Sequence, residues 1–126
     1  MESKALFVFE CLLRDNTFMS IIDTYISNTI FSSKTIDAKD VPQLVLILMT
    51  LLVKHKTSNV EKNLKNDTEL QELFHIFYNY IVVKIKENPN LTDFDNDEFK
   101  KTYEICIRLA ILKLKFKTTS WWCAAQ

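Results

Sequence analysis

The longest apolar run of the chain extends from Val41 to Val53 and predicts a helix buried on nearly all sides. Its polar residues, Gln43 and Thr50, fall on one narrow stripe of a helix, so most of the circumference needs apolar neighbours. Asp40 and Gln43 have capping-box spacing, and Pro42 falls in the first turn, where a missing N–H costs little. We therefore expect a core helix with a well-defined start.

A bilayer could also surround such a helix, but a membrane span needs about 20 consecutive apolar residues. This run is clearly shorter, and the polar residues Lys54, His55 and Lys56 follow it. The sequence therefore favours a buried helix that the other helices surround.

Two helices are predicted before this run. Ser3 is placed to cap a helix that extends to Leu13, although periodicity alone does not exclude a strand there. Asp15 begins a second helix. In the second helix, apolar residues recur at helical spacing: Phe18, Ile21, Ile22, Tyr25, Ile26 and Ile30. Its other face is polar but nearly uncharged: Ser20, Asp23, Thr24, Ser27 and Asn28. That face is either a solvent surface or a protein contact, and a polar connection over residues 32–39 follows it.

Two more helices are predicted after a Lys- and Asn-rich loop over residues 54–67. Thr68 and Gln71 have capping spacing, and a buried stripe follows: Leu70, Leu73, Phe74, Phe77, Ile81 and Ile85, broadened by Ile76, Tyr80 and Val83. Pro89 ends this helix, and Asp95 with Glu98 begins the last one. The last helix has two apolar stripes, for which we expect burial: Tyr103, Cys106, Ala110 and Leu114, and Ile105, Leu109, Leu112 and Phe116.

These elements predict an all-α, single-domain bundle of about five helices, over residues 1–118, with a C-terminal tail at 119–126. Glycine is absent from all 126 residues. Tight hairpins, phosphate-binding loops and nucleophile elbows all need glycine where the backbone turns sharply or approaches a ligand closely. Its absence thus supports the helical prediction and argues against nucleotide-binding and hydrolase classes.

Charge and cysteine content limit the partners and the compartment. Sixteen basic residues balance sixteen acidic ones, so we expect no nucleic-acid partner, and the lysines near the 54–67 loop are interpreted as solvated. The three cysteines form no C-x-x-C pair, and the N-terminus has no signal-peptide pattern. We expect reduced thiols and a cytoplasmic or virion location.

The acidic segment after Pro89 partly matches a calcium-binding EF-hand loop. Its candidate ligands fall at loop positions 1, 3, 5 and 12: Asp93, Asp95, Asp97 and Glu104. Position 6 requires glycine for a sharp turn but holds Glu98, and the apolar position 8 holds Lys100. We therefore favour helix capping by these acids over metal binding.

The chain ends in Cys123-Ala124-Ala125-Gln126, which has the form of a prenylation signal. Lysines at 113, 115 and 117 could supply the basic second signal that one lipid chain needs, and Trp121 and Trp122 suit a membrane interface. Alternatively, the two tryptophans dock into the bundle or a partner, or the tail is disordered. A membrane partner is expected only if Cys123 is prenylated.

Catalytic and cofactor chemistry have little support in the sequence. His55 and His75 are the only imidazoles, and neither stands in a metal or nucleophile motif. An enzyme would need a pocket lined by His75 or by the acids at 93–97. We expect no enzyme activity, no cofactor and no metal.

The remaining function class is protein interaction. Hydrophobic residues make up 48% of the chain, and its nine Phe, two Trp and four Tyr exceed what the core stripes require. We expect a scaffolding subunit that assembles with other protein subunits. The Lys-, Asn- and Ile-rich usage is typical of the A+T-rich genomes of certain protists, insect symbionts and large DNA viruses. Together with the missing catalytic apparatus, it favours a viral particle as the setting. A prenylated peripheral membrane adaptor is the alternative.

Overall fold

The computed structural model describes residues 3–54 and 66–117, with side chains as far as Lys113, and these residues form a bundle of five α-helices. The helices are α1 (Lys4–Leu13), α2 (Asn16–Ser33), α3 (Val41–Lys54), α4 (Asp67–Glu87) and α5 (Asn96–Lys117). A short 3-10 turn, Ala38–Asp40, leads directly into α3. The predicted all-α bundle is therefore confirmed. Among the described helices, none is both long and apolar enough to cross a membrane.

Three helix starts use the caps that the sequence predicts. The Ser3 hydroxyl accepts a hydrogen bond from the Leu6 N–H at 3.0 Å, and the Asp15 carboxylate accepts one from Phe18 at 3.1 Å. Asp95 accepts from the Glu98 N–H at 3.1 Å at the start of α5. Each cap satisfies an N–H that has no partner inside its own helix.

Two predicted caps are wrong. The predicted Asp40–Gln43 capping box is replaced by one between Asp37 and Asp40, because the 3-10 turn moves the start of the helical segment upstream. In that box the Asp40 carboxylate accepts from the Asp37 N–H at 3.0 Å. At α4 the cap is Asn66, not Thr68: its side chain accepts from the Glu69 N–H at 2.9 Å and donates to the Glu69 carboxylate at 2.7 Å.

Helix α4 packs against three other helices, α1, α2 and α5. All six apolar residues of its predicted stripe are buried, and Tyr78 joins them, whereas Val83 is exposed. The Phe77 ring contacts Phe9 of α1 edge-on at 5.1 Å and stacks on Phe18 of α2 at 5.8 Å between centroids. Aromatic packing of this kind joins three helices at one point.

Helix α3 packs against α2 and α5, and its core-facing residues are Val41, Leu44, Val45, Leu48 and Leu52. Its burial is narrower than the sequence predicts, because Leu46 is 55% exposed and Ile47, Met49, Leu51 and Val53 are partly buried. The helix therefore contributes one full side to the core and keeps an outer side in solvent.

Burial on α2 and α5 differs from the sequence prediction. On α2, Ile21 is 40% exposed, and the neighbouring Met19 is buried in its place. On α5 the core-facing residues are Phe99, Tyr103, Ile107, Ala110 and Ile111. The predicted burial of Ile105, Leu109 and Leu112 is wrong, because the bundle covers α5 on one side only.

The connections before α3 and before α5 are joined to each other. Lys34 ends α2 in the left-handed region, with φ 67°, and its carbonyl accepts from the Thr92 N–H at 2.9 Å. Thr35 and Asp93 form an isolated parallel bridge beside this contact. Ile36, within a segment predicted only as a polar connection, is fully buried. These contacts set where α5 begins relative to α2.

A polar contact also joins α2 to α4. The Tyr80 hydroxyl donates to the Asp23 carboxylate at 3.0 Å. Burial raises the pKa of Tyr80 to about 12, with the hydrogen bond to Asp23 adding to the effect. Part of the nearly uncharged polar face of α2 therefore serves an internal contact.

The two sides of α3 allow a matched test of core packing. We expect Leu48→Ala to lower the free energy of unfolding by about 2 to 5 kcal/mol, because Leu48 is fully buried and its loss leaves a cavity. Leu46→Ala, two residues away and exposed, should change it by less than about 0.5 kcal/mol. Urea denaturation of both variants measures the difference, and equal losses would contradict this placement of α3.

The contact between Tyr80 and Asp23 predicts a dependence of stability on pH. Since the folded-state pKa of Tyr80 lies above the ordinary 10.0, its stabilisation is complete below pH 10 and is lost as the pH rises towards about 12. We expect Tyr80→Phe to cost about 1 kcal/mol at pH 8, with the gap from the unmodified protein closing between pH 10 and 12. Asp23→Asn, which retains an acceptor without the charge, is the control. A gap that stays constant up to pH 12 would refute the assignment.

Candidate protein-interaction surface

The outer side of α5 carries three large apolar residues in one row. Ile105, Leu109 and Leu112 are 56%, 63% and 65% exposed and stand at i, i+4 and i+7, so they adjoin one another along two helical turns. We call these three residues the α5 stripe. They lie on the opposite side of the helix from the core-facing Tyr103 and Ala110.

The spacing separates the α5 stripe from ordinary exposed apolar residues. Single apolar side chains scattered over a protein surface are normal, whereas a contiguous apolar patch is a candidate for an interaction site. The other exposed large apolar residues of the described chain are two on α1, two on α2, one on α3 and one on α4: Phe7, Leu13, Ile21, Phe31, Leu46 and Val83. None of those four helices presents a row of three.

Cationic side chains border the α5 stripe. Lys101, Arg108 and Lys113 are exposed, and at 100° per residue Lys101 and Arg108 fall along one edge while Lys113 falls along the other. Within the described residues, none of the three forms an ion pair with an acidic side chain. Their charges are therefore available to a partner.

A groove of about 460 Å³ lies between α4 and α5 beside this surface. Phe74, Tyr78, Tyr103 and Ile107 contribute to its lining, together with the His75 imidazole and with charged side chains from both helices: Glu72, Lys100, Glu104 and Arg108. Arg108 belongs to the groove and also borders the α5 stripe. An apolar surface surrounded by mixed charges suits binding.

The tyrosine hydroxyls of the groove are committed to structural hydrogen bonds. Tyr103 donates to the Phe74 carbonyl at 2.7 Å, and Tyr78 donates to the Asn96 side chain at 2.6 Å. Burial raises the pKa of both tyrosines. The nearby Tyr78 raises the pKa of Tyr103 further. The carboxylates of Glu104 and Asp97 raise the pKa of Tyr78 further. Both hydroxyls therefore stay protonated at neutral pH and hold α4 and α5 together.

His75 lines this groove, and a pocket lined by His75 is one of the two that an enzyme would need. Among the described residues, the hydrogen bonds of the groove are made by its tyrosines, and none joins His75 to a carboxylate or a hydroxyl group. On α5, burial raises the pKa of the Cys106 thiol, which lowers its thiolate fraction.

The four candidate calcium ligands do not gather into a site. Asp95 caps α5, and the Asp93 carbonyl accepts from the Thr35 hydroxyl. Asp97 and Glu104 are exposed along α5, one near its start and the other about two turns further on. In the part of the chain with described side chains, no group of three His, Cys, Asp or Glu residues could hold a metal ion. The helix-capping interpretation of Asp95 is confirmed.

A second, shallower depression of about 440 Å³ lies along the polar face of α2. Its lining includes Ser20, Thr24, Ser27 and Asn28, together with the Asp23 that binds Tyr80. No charge other than Asp23 directs a ligand there, so we retain the α5 stripe as the candidate site.

Several residues singled out in the sequence lie outside the described ranges. These are the lipidation candidate Cys123, the interface candidates Trp121 and Trp122, and His55 with the loop that follows it. The side chains of Leu114 and Phe116, expected in the two stripes of α5, are likewise not described.

The helical spacing of the α5 stripe is present in the sequence, but spacing alone predicts burial for it. The signal that identifies it is the width of the apolar surface: two stripes on opposite sides of α5 cannot both face one bundle. Comparison of the chain with protein-family models, with curated proteins and with solved structures finds no match in any of the three.

Proposed function

We propose that this protein is a non-catalytic structural or scaffolding subunit that binds another protein through the outer side of α5. The observation that carries the proposal is the α5 stripe, a row of Ile105, Leu109 and Leu112 with more than half of each side chain in solvent. Burying such a row against a partner removes apolar surface from water, which is the main driving force of association.

The surroundings of the stripe support a protein partner. Protein interfaces combine an apolar centre with a polar, solvent-accessible rim. The stripe supplies the centre, and Lys101, Arg108 and Lys113 supply the rim. The adjoining groove between α4 and α5 extends the surface and adds charges of both signs.

The setting that we propose is a larger protein assembly, with a viral particle in first place because of the A+T-biased residue usage. The prenylated membrane adaptor is the second candidate, and the exposed Lys113 upstream of the C-terminal motif favours it. The two differ in where binding resides: on α5 in the first case, at Cys123 in the second.

The proposed function is tested by cross-linking and mass spectrometry of the protein in cells that express it naturally. We expect cross-links from Lys101 and Lys113 to another protein. We expect the double variant Leu109→Gln, Leu112→Gln to lose most of them, about tenfold or more, because the apolar centre of an interface carries most of its binding energy.

The matched control is Leu46→Gln, which changes an exposed leucine outside the stripe and should leave the cross-links intact. Circular dichroism should show the same helix content for all three proteins. A clean monomer without cross-links from α5, or equal losses in both variants, would contradict the proposal.

The adaptor alternative predicts a different pattern. Cys123→Ser should then abolish recovery of the protein with membranes in cell fractionation, because one lipid chain contributes about 0.8 kcal/mol per buried methylene. Intact-mass measurement would show the added prenyl group on the unsubstituted protein. An unmodified C-terminus excludes this alternative and leaves the α5 proposal unaffected.

A further inference from the structure

The spacing of the α5 stripe is that of a coiled-coil seam. Ile105, Leu109 and Leu112 are separated by four and then three residues, which places them at heptad positions d, a and d. Thr102, partly buried, stands at the preceding a position. A row this narrow, one residue wide, matches the seam that one helix presents to another in a coiled coil better than it matches a broad apolar surface.

The flanking heptad positions carry charge of one sign. With this register, Lys101 and Arg108 occupy g positions and Lys113 occupies an e position; all three are exposed. The remaining e position beside the seam is Cys106, which is half-buried. In a coiled coil, residues at e and g determine which partner binds and in which orientation.

This charge pattern disfavours a second copy of the chain as the partner. In a parallel pair, each g residue faces the e residue five positions later on the partner helix. Arg108 of each chain would therefore face Lys113 of the other chain. In an antiparallel pair, g residues face g residues and e residues face e residues, which again brings cations together. Like charges at such positions repel, so neither arrangement is favoured.

We propose that the partner of the α5 stripe is an acidic helix, with apolar residues at its a and d positions and Glu or Asp at its e and g positions. This inference rests on the proposed function and specifies the chemistry of the partner. Glu or Asp at those positions would meet Lys101, Arg108 and Lys113, none of which has an ion-pair partner among the described residues. The partner's apolar residues would pack on Leu109 and its neighbours in the stripe.

An anionic membrane surface would also attract these cations, but it suits the stripe less well. Helices that lie in a membrane interface bury a wide apolar face. The α5 stripe is one residue wide, because Arg108 and Cys106 adjoin it on either side and the wide apolar face of α5 already contacts the bundle. The geometry therefore favours a helix over a bilayer.

The test uses the full chain and two synthetic peptides of about three heptads, both with Leu and Ile at a and d. One has Glu at every e and g position, and the other has Lys. Like charges prevent each peptide from pairing with itself. Binding is followed by NMR titration of isotopically labelled protein, which gives both an affinity and the location of the contact.

We expect the acidic peptide to bind at least about tenfold more tightly than the basic one at low salt, with the difference shrinking at 0.5 M salt. Chemical-shift changes should centre on residues 101–113. The double variant Arg108→Glu, Lys113→Glu should reverse the preference, and this gain of binding to the basic peptide shows that the variant is folded. Leu109→Gln should weaken the binding of both peptides.

Four results would overturn the inference. The first two are equal binding of the two peptides and no binding of either. The third is a dimer of the protein, seen in sedimentation and lost in the Leu109→Gln variant. The fourth is binding to phosphatidylserine vesicles without binding to the acidic peptide.

If native cross-links from α5 depend on the stripe while the peptides show no charge preference, the acidic partner is wrong and the proposed function stands. If the native cross-links are absent, the proposed function fails.

Discussion

Burial of one side of α4 is the constraint on which the rest of this structure depends. Phe74, Phe77 and Ile81 are fully buried there, and the Phe77 ring contacts both Phe9 and Phe18. The Tyr103 hydroxyl binds the Phe74 carbonyl and so fixes α5 against the same helix. Helices α1, α2 and α5 all pack on α4, and α3 completes the core by packing on α2 and α5.

The same packing also determines which apolar residues of α5 remain exposed to solvent. Helix α5 has more apolar residues than one core-facing side can hold. With Phe99, Tyr103, Ile107 and their neighbours directed at the bundle, Ile105, Leu109 and Leu112 are left on the far side. The α5 stripe is therefore a consequence of how α5 is oriented, and it is this exposed row that the proposed function assigns to a partner.

Several acidic side chains have structural roles, among them Asp95, one of the four candidate calcium ligands. Asp95 caps α5, Asp37 and Asp40 cap the turn before α3, and Asp23 accepts from Tyr80. Such short-range roles satisfy backbone or side-chain donors that burial would otherwise leave without partners. The cations beside the stripe contrast with them, since Lys101, Arg108 and Lys113 have no acidic partner among the described residues.

The sequence by itself determined the fold class and most element boundaries, because caps, glycine absence and helical periodicity are local properties. It also identified six of the seven buried residues of α4, where one amphipathic pattern dominates, although it missed Tyr78 and included the exposed Val83. Tertiary structure decided which of two apolar sides of α5 faces the core, why Ile21 is exposed and Met19 buried, and how far α3 is covered. Periodicity gives the faces of a helix, but only the positions of its neighbours determine which face is shielded from water.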